Sequence, residues 1–308
     1  MNVPSKVLVC DHIAEEGLKM LKEAGLSVDY RPKISPEELL SVVEDFDAVI
    51  VRSRTKIKSE VIQKAKNLKA IGRAGAGLDN IDQETAKVRG ISVYNSPESL
   101  TNAVAELALG LIIASARGIG SGHYNLKNGK WVKDTIIGTE LTGKTLGLVG
   151  FGRIGRKLAE LVAPFKMKIL VYDIVQFDPQ ILATSNARTV GIDELLASAD
   201  FVSVHVPGGK GTSSMIDEGK LSLMKKTAYI INTSRGEVID ENALVNALKN
   251  GVIKGAALDV FSVEPPINKE LLTLDNVVFT PHIGGQTVEA QISAATIVAE
   301  KIIKHFSP

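Results

Sequence analysis

Short runs of consecutive apolar residues alternate with stretches whose apolar positions recur every three to four residues, and the alternation continues along most of the chain. In the first third, the runs 6–9, 48–51, 70–72 and 91–94, with a shorter one near Val28, predict strands. The periodic stretches 14–24, 36–45 and 59–65 predict helices, and Ser35 before Pro36 supplies a cap followed by a suitable first-turn residue. Ser96-Pro97 breaks the pattern ahead of an alanine-rich helix over about 101–116 that could bridge two domains. A second series starts at Leu141, with strands expected at 145–149, 168–172, 201–205, 228–232, 255–258 and 277–279. Its helices are expected at 153–164, 192–197, 219–224 and 241–249. Strand and helix in alternation predict parallel sheets covered by helices on both faces. A last helix over 288–305 has no strand of its own left to cover, so it is expected to return to the first domain.

The strand 145–149 runs directly into Gly150-Phe151-Gly152-Arg153-Ile154-Gly155 and then into a helix, which is the context a dinucleotide-binding turn requires. The first glycine permits the tight turn, the second lets a pyrophosphate approach the backbone, and the third lets the helix pack on the sheet. Asp173 ends the next strand, where a carboxylate can accept from both ribose hydroxyls and would repel a 2′-phosphate, so NAD is expected over NADP. The expected fold is α/β with two doubly wound parallel-sheet domains and a cleft between them. A Rossmann nucleotide-binding domain spans 99–284, and a smaller flavodoxin-like substrate domain combines 1–98 with 285–308.

Composition narrows the partners. Lys plus Arg number 36 against 35 Asp plus Glu, a net charge of +1, so there is no electrostatic case for nucleic acid or an anionic membrane. The single cysteine, Cys10, allows no disulfide within the chain. No secretory leader is visible, and no apolar stretch is expected to reach the roughly 20 residues that span a bilayer. A cytoplasmic protein is expected. His, Cys and carboxylates do not recur at ligand spacing, so no metal site is expected.

Hydride transfer to or from a small acid needs a cation for the carboxylate, an acid/base at the carbinol oxygen and a group that tunes it. Arg235, Glu264 and His282 each follow a late strand of the second series, where ligands bind in open α/β sheets. An Arg can clamp a carboxylate through two hydrogen bonds, and a carboxylate beside an imidazole favours the imidazolium. His12, His123, His205 and His305 read as structural or solvated.

These positions sit within segments that together resemble the D-2-hydroxyacid dehydrogenase family. The segments are Val51-Arg52-Ser53-Arg54-Thr55, Gly72 through Asp82, Gly138 through Thr145 and the glycine turn. Asn232 through Gly236, Ala256 through Phe261 with Glu264-Pro265-Pro266, and Pro281-His282-Ile283-Gly284-Gly285 complete the set, which covers essentially the whole chain. The resemblance implies that Arg235 orients the substrate, His282 moves the proton and Glu264 is its partner. It also implies backbone contacts from Arg153 and Ile154 to the pyrophosphate, Asp173 on the adenosine ribose and Pro207 on the adenine side. Thr233 and Asp259 would lie near the nicotinamide, with Asp259 accepting from the carboxamide. For the acid end of the substrate, backbone N–H groups of Ala74, Gly75, Ala76 and Gly77 are candidates. Arg54 and Arg73 are candidates for a substrate phosphate.

Within the family the likeness is nearest to members that oxidise 3-phosphoglycerate to 3-phosphohydroxypyruvate on the route to serine. Reduction of glyoxylate or hydroxypyruvate is the neighbouring expectation, and an NAD-sensing corepressor-like binding protein a more distant one. The resemblance further implies a homodimer through residues 115–142, with Lys133 reaching toward a neighbouring subunit. A C-terminal regulatory domain, and serine feedback through one, is not expected.

Overall fold

A computed structural model describes residues 4–307. Two compact units emerge: one ends at Thr101 and resumes at Gly285, and the other is Asn102–Gly284. Both are built on parallel sheets, as the alternating pattern predicts.

In the first unit, β1 (Lys6–Val9), β2 (Ser27–Tyr30), β3 (Ala48–Val51), β4 (Ala70–Arg73) and β5 (Ser92–Asn95) pair in the order β2-β1-β3-β4-β5. That is the flavodoxin-like order, with its direction reversing between β1 and β3. The interior strand β3 is buried at every position while the edge strand β5 is half-buried throughout, so only interior strands need to be apolar on both faces. The register pairs Val7 with Ala48, Leu8 with Val49 and Val9 with Ile50. Leu8 and Val49 therefore join one apolar layer, while Val7, Val9, Ala48 and Ile50 join another with Ala295, Val298 and Ile302 of the final helix. That helix, Val288–Phe306, starts at Thr287, whose side chain accepts from Ala290 N at 3.1 Å. Gly17 and Gly72 let it come close, since a Cβ on either would stand 2.8 Å from Ala295 Cβ or 2.6 Å from Val298 Cγ1. Ser35 caps its helix as expected, accepting from Glu38 N at 3.1 Å.

The second unit contains β6 (Thr145–Val149), β7 (Lys168–Tyr172), β8 (Ala187–Thr189), β9 (Phe201–Val204), β10 (Tyr229–Asn232), β11 (Gly255–Leu258) and β12 (Val277–Phe279). Their order, β12-β11-β10-β9-β6-β7-β8, is the Rossmann arrangement with one further strand, reversing between β9 and β6. Strand β8 was not anticipated: it is an edge strand of three residues with no buried position. The helices Gln83–Val88, Ile119–Lys127, Pro179–Thr184 and Lys269–Leu272 were likewise unanticipated.

One expectation is corrected. Residues Pro97–Arg117 form 21 residues of helix long and apolar enough to cross a membrane by length and composition. Their apolarity has a local cause, because Ala105, Ala108, Leu111, Ile112 and Ala116 are buried in the second unit's core against Leu146, Leu148 and Ile231.

Candidate active site

The candidate catalytic and cofactor-binding residues of the second unit follow the C-terminal ends of strands, so one edge of the sheet collects them. Gly150 follows β6, Asp173 follows β7, Pro207 lies just beyond β9, and Thr233 and Arg235 follow β10. Asp259 follows β11 and His282 follows β12.

The glycine turn divides its three roles as the chemistry requires. Gly150 has φ +96, and a Cβ there would lie 2.8 Å from the His205 carbonyl group. Gly155 packs the helix Arg153–Val162 against the turn, where a Cβ would stand 2.4 Å from the Gly150 oxygen. Gly152 is different: a Cβ there would meet nothing within 4 Å. Open space at Gly152 adjoins a helix start with no side-chain cap, and the first-turn amides of Arg153 and Ile154 have no intrahelical partner. This is a cradle suited to a pyrophosphate, so the residues present fit a dinucleotide. Asp173 accepts from Phe151 N at 2.7 Å through Oδ2 and from Val175 N at 3.0 Å through Oδ1. Each oxygen keeps a lone pair for a ribose hydroxyl. Thr233 adds a buried Oγ1 with no partner among the described residues, a polar atom for a ligand to satisfy. Pro207 is exposed, and its carbonyl accepts from Thr212 Oγ1 at 2.6 Å.

Arg235 is set by its neighbours. Asn232, buried at the end of β10, accepts from the Ser234 amide and hydroxyl and donates to the Arg235 carbonyl at 2.9 Å. The Arg235 Nη1 donates to the Ser234 carbonyl at 2.7 Å. Gly236 then lets this loop abut the next, since a Cβ on it would fall 1.9 Å from the Phe261 carbonyl carbon. That second loop carries Glu264, whose Oε1 accepts from Phe261 N at 3.2 Å and whose Oε2 lies 2.7 Å from His282 Nδ1. The imidazole thus has Nδ1 engaged and Nε2 left for other chemistry. His282 holds φ 53, a left-handed conformation that costs a non-glycine residue on the order of 1–3 kcal/mol unless surroundings impose it.

His205, read from sequence as structural or solvated, is held in place below the turn. Its Nε2 lies 2.9 Å from Ser203 Oγ, its Nδ1 is buried without a partner among the described residues, and burial depresses its pKa to about 4. It therefore stays neutral at physiological pH. Of the other histidines, His12 meets the Tyr30 hydroxyl at 2.7 Å and His305 the Tyr94 hydroxyl at 3.0 Å. No group of three or more His, Cys, Asp or Glu among the described residues could hold a metal ion.

In the first unit the loop after β4 narrows the earlier expectation for Ala74–Gly77. The Ala74 amide is spent on the Val51 carbonyl at 2.9 Å, and the Gly75 amide on Ser96 Oγ at 2.8 Å. Ala76 and Gly77 amides donate to nothing among the described residues. Arg73 lies over Gly75, whose missing side chain makes room for it, because a Cβ there would sit 1.5 Å from Nη1. Arg54 makes several contacts within its own unit. It donates to the carbonyls of Ile34, Cys10 and Pro32 and pairs with the buried Asp11 carboxylate at 2.9 Å. Arg52 makes fewer contacts. It is half-buried, burial lowers its pKa against the pull of Asp11, and its guanidinium makes one long 3.4 Å contact to the His12 carbonyl.

Comparison with known proteins identifies the family. Residues 109–284 match the family model described as D-isomer specific 2-hydroxyacid dehydrogenase, NAD binding domain. The chain belongs to that family. It is 47% identical over 301 residues to a D-3-phosphoglycerate dehydrogenase of Methanocaldococcus jannaschii, covering 97% of this chain and 57% of that one. It is 42% identical to a hydroxypyruvate reductase of Thermotoga maritima, covering 97% of both. Among solved structures, a glyoxylate reductase from Paecilomyes thermophila superposes with a TM-score of 0.89 at 30% identity, over 98% of this chain and 95% of that one. The chain spans little more than half the length of the phosphoglycerate dehydrogenases it matches first.

Proposed function

We propose that this protein interconverts 3-phosphoglycerate and 3-phosphohydroxypyruvate with NAD, the first committed step toward serine. NAD, when bound, supplies the hydride acceptor. The carrying observation is the 2.7 Å contact between His282 Nδ1 and Glu264 Oε2 at the sheet edge that also bears the glycine turn. With Nδ1 held, neutral His282 takes the substrate's hydroxyl proton on Nε2 while the C2 hydrogen leaves with its electron pair and the C2–O bond becomes a carbonyl. In reduction the imidazolium returns that proton to the oxygen. Glu264 holds the imidazole through Nδ1, and Arg235 clamps the carboxylate and polarises the adjacent carbonyl. The Ala76 and Gly77 amides are assigned to the acid end of the substrate. The phosphate is assigned to Arg52, with Arg73 as a further candidate.

Support for the phosphorylated substrate comes from the relatives named for it; support for hydroxypyruvate comes from the Thermotoga relative, matched over nearly its full length. Turnover with NADH on 3-phosphohydroxypyruvate and on hydroxypyruvate separates the two. Higher kcat/KM on the phosphorylated acid is expected, and equal or better efficiency without phosphate overturns the preference. His282→Ala should lower turnover by about 100-fold or more with NADH affinity nearly intact; unchanged turnover removes His282 from the mechanism.

A homodimer through residues 115–142 is part of the same reading. The helix Ile119–Lys127 buries none of its residues, and Tyr124, Leu126, Trp131 and Ile137 stand exposed around it. Light scattering should return twice the monomer mass; a monomer at micromolar concentration rejects it.

A further inference from the structure

The second unit holds a cavity of about 230 Å³ at the N-terminal ends of β10, β11 and β12, the sheet edge opposite the one that bears the glycine turn and His282. Its walls are the end of the helix Thr101–Arg117, the start of the helix Ile119–Lys127 and residues 135–137. Ile136, Tyr229 and Val278 give it apolar surface. Polar groups converge on the same space. Ser115 is 8% exposed, and its Oγ is buried with no hydrogen-bond partner among the described residues, so a ligand has a donor to satisfy there. Gly118 opens the helix Ile119–Lys127 at φ 61 without a side-chain cap, and a Cβ on it would strike Ile136 Cγ2 at 2.7 Å. The Gly120 and Ser121 amides donate to nothing among the described residues, and Gly122 N is the first to find a carbonyl, that of Gly118 at 2.9 Å. Lys254, just before β11, stands exposed at the rim with Nζ 5.5 Å from the centre of the Tyr229 ring.

Unpaired amides at a helix start and a nearby ammonium favour an anion. Asp275 also lines the rim, and its charge opposes a second negative charge on the ligand, so a monocarboxylate suits the site better than a phosphate dianion. A cavity of about 150 Å³ lodges a benzene ring, so this one admits a carboxylate with an aromatic or branched aliphatic body. We propose that the cavity is a second ligand site, which binds a small monocarboxylate of that kind. The carboxylate accepts from Ser115 Oγ and from the Gly120 and Ser121 amides, and the apolar body lies against Ile136, Tyr229 and Val278. The site shares no residue with the candidate active site and does not depend on the role of His282. Because residues 115–121 and 135–137 belong to the segment assigned to the homodimer, an occupant ties that segment to the sheet.

Calorimetric titration of the full chain with benzoate tests it, alongside benzamide as the neutral analogue and inorganic phosphate, all at one ionic strength. Wild type should bind benzoate with a Kd of about 1 mM or tighter, and benzamide and phosphate about tenfold more weakly. Ser115→Ala removes a hydroxyl that has no partner and leaves a good helix former, so it should fold like wild type and bind benzoate about fivefold more weakly. Gly120→Ala puts a methyl into the cavity without striking backbone, since its Cβ would meet only Val278 Cγ2 at 3.8 Å, and should weaken benzoate about tenfold. Both variants should keep kcat with NADH within about twofold of wild type. Arg235→Gln should bind benzoate like wild type, which separates this site from the carboxylate clamp. Unchanged benzoate affinity in Ser115→Ala and Gly120→Ala overturns the proposal, and loss of binding in Arg235→Gln alone places benzoate in the candidate active site instead. Benzamide or phosphate bound as tightly as benzoate overturns the assigned ligand class. No binding by wild type up to about 10 mM overturns the site itself, as when a second copy of the chain fills the cavity.

Discussion

His282 and Glu264 are joined at 2.7 Å across loops that leave the neighbouring strands β12 and β11, so sheet pairing itself brings imidazole and carboxylate together. Both side chains are more than a third exposed, and water screens their attraction; their contact is worth little to stability and is better judged by its effect on proton transfer. Glu264→Gln keeps a hydrogen-bonding group but removes the negative charge that faces Nδ1. Reductive kcat at neutral pH should fall about tenfold. Reductive kcat equal to wild type would show that the carboxylate charge has no part in the reaction.

Gly152 and Gly236 distinguish binding from packing. A side chain at Gly152 enters open space, whereas one at Gly236 strikes the Phe261 and Ser262 backbone, which cannot yield as a flexible side chain would. Gly152→Ala should unfold in urea like wild type and bind NADH about tenfold more weakly, because its methyl occupies the room assigned to the pyrophosphate. Gly236→Ala should lose about 1–3 kcal/mol of unfolding free energy by overpacking and, by parting the Arg235 and Glu264 loops, lose activity as well. Reversed outcomes in the two variants would mean that the roles of these glycines are misassigned.

The interior strands are legible in the sequence because burial on both faces demands unbroken apolar runs, as in Ala48–Val51 and Gly255–Leu258. Strand β8 and the helix Gln83–Val88 are not, since an edge strand of three residues needs no apolar run and a six-residue helix shows less than two turns of periodicity. The candidate trio is legible for a related reason: strand ends can be located, and polar residues just beyond them share one edge. What sequence could not reveal is which neighbours claim a side chain. Arg52 and Arg54 stand two residues apart, and only the fold brings the Cys10, Pro32 and Ile34 carbonyls to Arg54. The apolar helix Thr101–Arg117 poses the same difficulty, because composition does not say whether protein or lipid covers it.

Arg52 and Arg54 should consequently respond differently to substitution. Arg52→Gln should raise KM for 3-phosphohydroxypyruvate about tenfold while leaving that for hydroxypyruvate within about twofold, since only the first ligand offers a phosphate. Arg54→Gln deprives buried Asp11 of its cation and three carbonyls of a donor. Because Arg54 is half-exposed, the loss is discounted to on the order of 1–2 kcal/mol of stability, with little change in the ratio of the two KM values. An Arg54 variant that is fully stable yet discriminates poorly against the unphosphorylated acid would restore Arg54 as the phosphate ligand.

His205 makes stability depend on pH. Its ring sits beside the glycine turn, where a Cβ on Gly155 would be 3.8 Å from Cδ2. The buried, unpartnered Nδ1 is best left as a bare lone pair, with Nε2–H donating to Ser203 Oγ. Burial holds its pKa near 4 in the folded state, against an ordinary value of 6.5. Between those values the unfolded chain binds the proton and the folded chain does not, so acidification favours unfolding. The stabilisation is present above pH 6.5 and lost as the pH falls toward 4, by up to about 1.4 kcal/mol per pH unit. His205→Gln keeps an amide able to reach Ser203 and has no titration. From pH 7.5 to 5.5, wild type should lose about 1 kcal/mol more unfolding free energy than the variant, measured by urea denaturation at each pH. Equal losses would mean that the ring is protonated as easily in the folded protein as in the unfolded chain, and that water reaches it beneath the turn.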